Sequence, residues 1–143
     1  MQSITFYNKD TKTQLPAKKR LKAFLMDFVG SKSYHIESVS IILCTDKYVR
    51  EMNKKYLGHD YVTDILTFEL PASGIQIEGE LYISVDTVKR NSSDLNIPFL
   101  TELHRVIFHG VLHLLGYNDA TAGEIKKIRK LEDLLLIQYS KYL

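Results

Sequence analysis

Phe99-Leu-Thr-Glu-Leu-His-Arg-Val-Ile-Phe-His-Gly-Val-Leu-His-Leu-Leu-Gly-Tyr-Asn-Asp119 is the stretch on which the reading of this chain turns. Its first seventeen residues, Phe99 to Leu115, carry apolar side chains at helical spacing and make the most apolar helix the sequence predicts. Gly116 falls where such a helix stops in a left-handed turn. His109 and His113 are four apart, so both imidazoles project from one face, one turn from each other. Two ring nitrogens placed that way reach a single metal ion at about 2.0–2.1 Å. Tyr117 and Asn118 let the chain double back, and the Asp119 carboxylate becomes the third ligand. Two nitrogens and one oxygen leave a position open, which suits a catalytic metal rather than a structural one. A histidine pair alone is weak evidence, since core histidines share that spacing; Gly116 and Asp119 at their offsets carry the reading.

Outward from this helix, strand-like and helix-like segments alternate. Ile4–Asn8 reads as a first strand. A helix is expected over Pro16–Val29, with Leu21, Phe24, Leu25 and Phe28 on one face, Pro16 in its first turn and Gly30 at its end. Glu37–Thr45 is a β-branched strand, after which Asp46 is expected to cap a helix from Lys47 to Leu57 bearing Val49, Met52 and Tyr56. Gly58–Tyr61 turns the chain into a strand at Asp64–Phe68. A loop at Pro71 and Gly74 leads to a strand at Glu80–Val85. The short turns between these neighbours make part of the sheet antiparallel. Helices follow at Asp86–Leu95 and, after the metal loop, at Ala122–Tyr142, where Ile125, Ile128, Leu131, Leu135 and Tyr139 share a face. The expected fold is α+β in one domain, residues 1–143: a small mixed sheet of about four strands covered by about five helices, with a zinc-metalloprotease-like helix carrying the metal.

Composition bounds the rest. The chain has 143 residues, 45% hydrophobic and 25% charged, ordinary for a globular domain with a proper core. No segment approaches the roughly 18 apolar residues of a membrane span. The N-terminal MQSITFYNKDTK lacks a basic start followed by an apolar run, so no secretory signal is expected and the expected location is cytoplasmic. Cys44 is the single cysteine and reads as a small buried hydrophobe. The net charge of +2 is too mild to indicate nucleic acid by itself. Two basic clusters stand out: Lys18, Lys19, Arg20 and Lys22, and Lys126, Lys127, Arg129 and Lys130. A solvated helix face is the ordinary fate of such runs, phosphate contact the alternative.

The ligand spacing coincides with the zinc-protease pattern H-E-x-x-H-x-x-G-x-x-H, with Asp at the third ligand. Gly110 stands where those enzymes carry their glutamate base, which disfavours peptide hydrolysis by that route. Its small size admits either a strand or substrate beside the metal, or close helix packing, at a helix-propensity cost of about 1 kcal/mol. Arg105, one turn before His109, either binds a phosphate or pairs with Glu102 or another carboxylate. His104 points away from this face, and His35 reads as a surface residue. Thr63 and Asp64 open a strand, where a turn-and-cap role is expected of both; a proton-accepting Asp64 near the metal is the alternative, which leaves Arg105 and Asp64 as the catalytic candidates.

The segment HGVLHLLGYND resembles the YbeY family signature H-G-x-L-H-L-x-G-Y-D-H. Met52-Asn-Lys-Lys-Tyr-Leu-Gly-His-Asp-Tyr-Val-Thr-Asp-Ile-Leu-Thr-Phe68 is similar to the family stretch L-N-x-x-Y-R-x-x-D-x-x-T-D-V-L-S-F, and Gly79-Glu-Leu-Tyr-Ile-Ser84 to G-D-I-x-I-S. The resemblance implies a metal-dependent endoribonuclease acting on the 3′ end of small-subunit ribosomal RNA and in ribosome quality control. It implies one zinc ion per chain on His109, His113 and Asp119, and ribosomal proteins and an assembly GTPase as partners. This chain departs from the pattern at several places, Asn118 for aspartate among them. Asp119 replaces the usual histidine, an anionic oxygen that makes the site harder and widens metal choice toward manganese or iron. Leu57 replaces an arginine suited to phosphate, for which Lys54, Lys55, Arg90 or Arg105 are the candidate substitutes in RNA binding. Glu80 replaces aspartate and keeps the charge. A ribosome-assembly binding factor with a mainly structural metal is the alternative function, and a peptidase or other metallohydrolase a third.

Overall fold

The computed structural model describes residues 3–142. Among them, the strands β1 (Ser3–Asn8), β2 (His35–Cys44), β3 (Ile65–Glu69) and β4 (Gln76–Ser84) form one sheet in the order β1-β2-β4-β3. The helices are α1 (Lys18–Ser31), α2 (Asp46–Leu57), α3 (Val85–Leu95), α4 (Phe99–Leu114) and α5 (Ala122–Ser140). Strands β1, β2 and β4 run parallel, with Ile4 opposite Val39 and Ile41 opposite Leu81. The edge strand β3 is antiparallel to β4, Thr67 opposite Leu81, as the short turn between them requires. The fold is α+β, as expected.

The β2 strand is buried on both faces at its C-terminal end, and Ile41, Ile42, Leu43 and Cys44 are accordingly a continuous apolar run. One face of the sheet meets α1, α4 and α5 in the main core, built around Leu25, Ile41, Leu81, Ile107 and Phe108. The other face packs Leu66 and Cys44 against Val49 of α2. Cys44 is the buried hydrophobe its surroundings suggested; burial pushes its thiol up to about 12, which leaves it unreactive.

Several boundaries differ from the sequence reading, each for a local reason. Gly30 does not end α1; the helix runs to Ser31, and Ser33 takes the left-handed conformation at φ 64°. Pro16 lies before the helix, whose N-cap Ala17 is itself left-handed. Asp46 is the first residue of α2 rather than its cap. Its carboxylate instead accepts from Ser84 and Thr87 hydroxyls, each at 2.6 Å, while Asp10 takes the Thr45 N–H at 2.8 Å. β4 begins at Gln76, earlier than expected, because Gln76 and Ile77 pair with His35 and Ile36 of β2. In α5, Ile128, Leu135 and Tyr139 are buried as predicted, but Ile125 is exposed beside a cleft and the helix stops at Ser140.

The approach of α4 to the sheet positions everything that follows. A Cβ on Gly110 would stand 2.7 Å from Ile65 Cδ1 and 2.8 Å from Leu81 Cδ1. A Cβ on Gly79, in β4, would stand 2.7 Å from Leu114 Cδ2 and 2.8 Å from the Phe68 carbonyl oxygen. Of the two readings of Gly110, close passage of a strand is the one observed. Because Gly79 faces backbone, Gly79→Ala is expected to cost about 1–3 kcal/mol of stability by overpacking. Gly30→Ala, in open space within a helix, is expected to stabilise by about 0.5–1 kcal/mol. Urea unfolding midpoints of the two variants check both; equal midpoints would remove the close contact from this account.

Candidate metal centre

Helix α4 carries His109 and His113 on its exposed side, and the loop behind it brings Asp119 up to them. Gly116 makes the reversal at φ 96°, while its N–H bonds the His113 carbonyl and the Tyr117 N–H bonds the Leu112 carbonyl, each at 3.0 Å. The chain then enters α5 through a capping box: Thr121 accepts from the Glu124 N–H at 3.1 Å, and Glu124 from the Thr121 N–H at 2.9 Å. Seven residues therefore separate two helix ends, both tied down, with Asp119 between them.

The three side chains converge. His109 Nε2 and His113 Nε2 are 2.9 Å apart, and each lies 3.3 Å from Asp119 Oδ2. Ligands at about 2.0–2.1 Å from a tetrahedral ion are about 3.3 Å from one another, so this triangle has the size a zinc-like ion needs. Two imidazoles and a carboxylate are also a competent donor set for it. The donors therefore fit a metal ion.

Behind His109 stands a residue that sequence reasoning missed. Glu132 of α5 is 1% exposed, and its Oε2 lies 2.6 Å from His109 Nδ1. Accepting the Nδ1 proton leaves the Nε2 lone pair facing the cluster; this tautomer is inferred from the hydrogen bond. The signal was present in the sequence. Glu132 sits one turn from Ile128 and one turn from Leu135, inside the apolar stripe of α5, where a carboxylate has no reason to be unless something holds it there. Burial opposes a charge on His109, but the bonded Glu132, with Asp119 and Asp64 nearby, outweighs it and raises the His109 pKa above its ordinary value.

Two open clefts meet at the cluster. One, of about 470 Å³, is lined by Asn91, Asp94, Glu102, Arg105 and Arg129. The other, of about 420 Å³, follows β3 along Thr63, Thr67 and Glu69 to His113 and Asn118. Asp64, His109 and Asp119 line both. Asp64 also keeps the turn role expected of it, since its carbonyl accepts the Ser84 N–H at 2.9 Å and its carboxylate the Thr63 hydroxyl at 3.4 Å.

The other candidates are placed less centrally. Arg105 faces the first cleft but is held by Asp133 at 2.9 Å, Glu132 at 3.3 Å and Glu102 at 3.5 Å, so the carboxylate pairing is the arrangement observed. Arg90 pairs with Asp46 at 2.8 Å in a separate depression. Lys54 lies in another with Arg50 and Asp60, and Lys55 sits over the Tyr56 ring. Arg129, from the second basic cluster, also lines the first cleft, with its side chain 60% exposed. His104 does turn away from the cluster, packing edge-on against Tyr139, and burial lowers its pKa to about 4, so it is neutral at pH 7. His35 is exposed at the start of β2.

A helix-borne histidine pair completed by a carboxylate from the next loop, between two open clefts, has the form of a hydrolytic metal centre. The family described as Endoribonuclease YbeY matches residues 3–140. The chain is 38% identical over 135 residues to a curated Endoribonuclease YbeY of Cytophaga hutchinsonii, covering 94% of each chain. It is 40% identical over 129 residues to that of Chloroherpeton thalassium, covering 90% of each. A solution structure from Thermotoga maritima superposes with a TM-score of 0.61 at 24% identity, over 97% of this chain and 93% of that one, a likeness of fold. This chain belongs to the YbeY family.

A metal ion taken by this cluster must displace the proton that Glu132, Asp119 and Asp64 favour on His109. A raised pKa means that proton is held to higher pH than on a free histidine. Apparent metal affinity is therefore expected to fall on acidification starting above the ordinary histidine value of about 6.5. Competition against a chelator of known pH dependence measures this; a flat profile between about pH 6 and 8 would contradict it.

Proposed function

We propose that this chain is a metal-dependent endoribonuclease that cuts single-stranded RNA, with His109, His113 and Asp119 holding one zinc ion. The observation that carries the reading is that two open clefts share Asp64, His109 and Asp119, with His113 lining the second, which leaves an extended strand more room at the cluster than an enclosed pocket would. An enclosed pocket would suit a small molecule; open clefts that meet suit a chain. Bound there, the metal supplies Lewis-acid polarisation of a phosphoryl oxygen and acidification of water. The carboxylate oxygen of Asp119 extends the usable ions to manganese and iron.

The rest falls to the chain's own groups. Asp64, at the meeting of the clefts and fixed through its carbonyl, takes a proton from the attacking hydroxyl. Arg129, whose side chain is 60% exposed and lies 3.6 Å from Glu132, holds a phosphate flanking the scissile one. Lys54, Lys55 and Arg90, which line neither cleft, serve distal nucleotides; Arg105 is not proposed as an RNA contact. Small-subunit ribosomal RNA, at its 3′ end, is the substrate, in ribosome maturation and quality control in the cytoplasm, with ribosomal proteins and an assembly GTPase as partners. Among the described residues, no helix is long and apolar enough to cross a membrane.

One observation favours a second reading, assembly binding with a mainly structural metal: Leu57, in place of the family arginine, is 49% exposed at the end of α2 and leaves an apolar surface there. Peptide hydrolysis by the glutamate route is not proposed, because a side chain at Gly110 would run into Ile65 and Leu81.

Metal-loaded wild type is expected to cleave a single-stranded oligoribonucleotide and spare its duplex form. His113→Ala, folded by circular dichroism, is expected to lose at least about 100-fold in rate. Undiminished cleavage by a folded His109→Ala/His113→Ala protein would overturn the proposal; full activity in small-subunit assembly with the same protein would favour the binding-factor reading.

A further inference from the structure

The α4–α5 interface holds more charge than a helix contact of this kind needs. Glu102 and Arg105 of α4 face Glu132 and Asp133 of α5, and two of the four, Glu102 and Glu132, are almost wholly buried. A lone carboxylate at the Glu132 position would cost several kcal/mol among Ile128, Leu135 and their neighbours. It is not alone. Oε2 accepts from His109 at 2.6 Å, and Oε1 accepts from Arg105 Nη1 at 3.3 Å. Arg105 is in turn held by Asp133 at 2.9 Å, with Glu102 Oε1 beside it at 3.5 Å and outside hydrogen-bonding geometry, and its side chain is only 17% exposed. The chain of contacts runs Glu102 and Asp133 to Arg105, Arg105 to Glu132, Glu132 to His109, and ends at the ligand triangle. Among the described residues, no carboxylate plays the same part at His113 Nδ1, so the orientation of the pair rests on His109.

We propose that Glu132 is a positioning residue for the metal and that Arg105 acts through it. The inference rests on the reading of His109, His113 and Asp119 as a metal site. Glu132 fixes His109 as the tautomer with its proton on Nδ1, aims the Nε2 lone pair at the open side, and makes the ring a stronger donor. Arg105 donates to the other oxygen of Glu132 at 3.3 Å and so sets the direction of that carboxylate, while Asp133 holds the guanidinium at 2.9 Å. Arg105 therefore contributes to the metal site from behind and does not meet the substrate. The arrangement gives a use to Arg105, Glu132 and Asp133, which a bare packing role leaves unexplained.

Three measurements on the full chain separate these roles. They are zinc affinity by competition with a chromophoric chelator, affinity of the zinc-saturated protein for a non-cleavable single-stranded RNA, and melting of the metal-free protein. Glu132→Gln keeps the shape and an acceptor but loses the charge, and is expected to weaken zinc by about 10–100-fold. Arg105→Gln shifts zinc affinity in the same direction. The double variant is scarcely weaker than Glu132→Gln alone, because the arginine works through the glutamate. RNA affinity at saturating zinc stays within about 2-fold of wild type in all three. If Glu132→Gln proves poorly folded, Glu132→Met removes the acceptor while matching the apolar stripe. It is then expected to show the zinc loss with a metal-free melting temperature at or above wild type. Unchanged zinc affinity in the folded Glu132 variants overturns the inference, as does an Arg105→Gln protein that loses RNA affinity with zinc affinity intact. If the wild type itself takes up no zinc, the metal-site reading fails and takes this inference with it; variants that bind zinc as the wild type does sink this inference alone.

Discussion

Helix α4 lies against β3 and β4 without the usual side-chain spacer, and two glycines make that possible. Gly110 on the helix receives Ile65 and Leu81, and Gly79 on the strand receives Leu114. A larger residue at Gly79 meets the Phe68 carbonyl oxygen, and one at Gly110 forces Ile65 and Leu81 to move, on the helix that carries both histidines. The same closeness draws Asp64, at the start of β3, to the edge of the cluster and leaves a cleft along the strand. The family's glycine after the first histidine thus has a packing cause in this chain: the sheet occupies the space into which a side chain at 110 would grow.

Burial of charge is the second constraint. Interiors tolerate carboxylates only when they are paired and hydrogen-bonded. Glu132 meets that condition through His109 and Arg105, which makes the ligand, its support and the helix–helix contact one structure. The cost of that network is set against metal-site geometry rather than against stability alone, since an apolar interface would pack at least as well. The three side chains lie within 2.9–3.3 Å of one another, the spacing that donors to a zinc-like ion need.

Much of this was legible in the amino-acid order. The stop at Gly116 follows from glycine's access to positive φ, and the ligand triangle from a four-residue helical repeat plus a reversal. The alternating pattern of β4 and the apolar run of β2 placed the sheet. What stayed hidden depends on contacts distant in sequence. Asp46 looked like a helix cap because the local pattern is that of one, yet Ser84 and Thr87, nearly forty residues on, claim its carboxylate. Gly30 looked like a terminator, but nothing crowds it and the helix continues. The roles of Arg105 and Glu132 needed the α4–α5 pairing to be known, although a glutamate in an apolar stripe was an anomaly open to notice. Arg129, one of four clustered cations, could be singled out only once the cleft existed.

His109, His113 and Asp119, three residues of one motif, are proposed to form a single open metal site. X-ray absorption at the zinc edge of the protein loaded with one equivalent of zinc tests it most directly. The account predicts a first shell of light atoms at about 2.0–2.2 Å, with the multiple-scattering signature of two imidazoles and no sulfur. A shell containing sulfur, or one with fewer than two imidazoles, would contradict it.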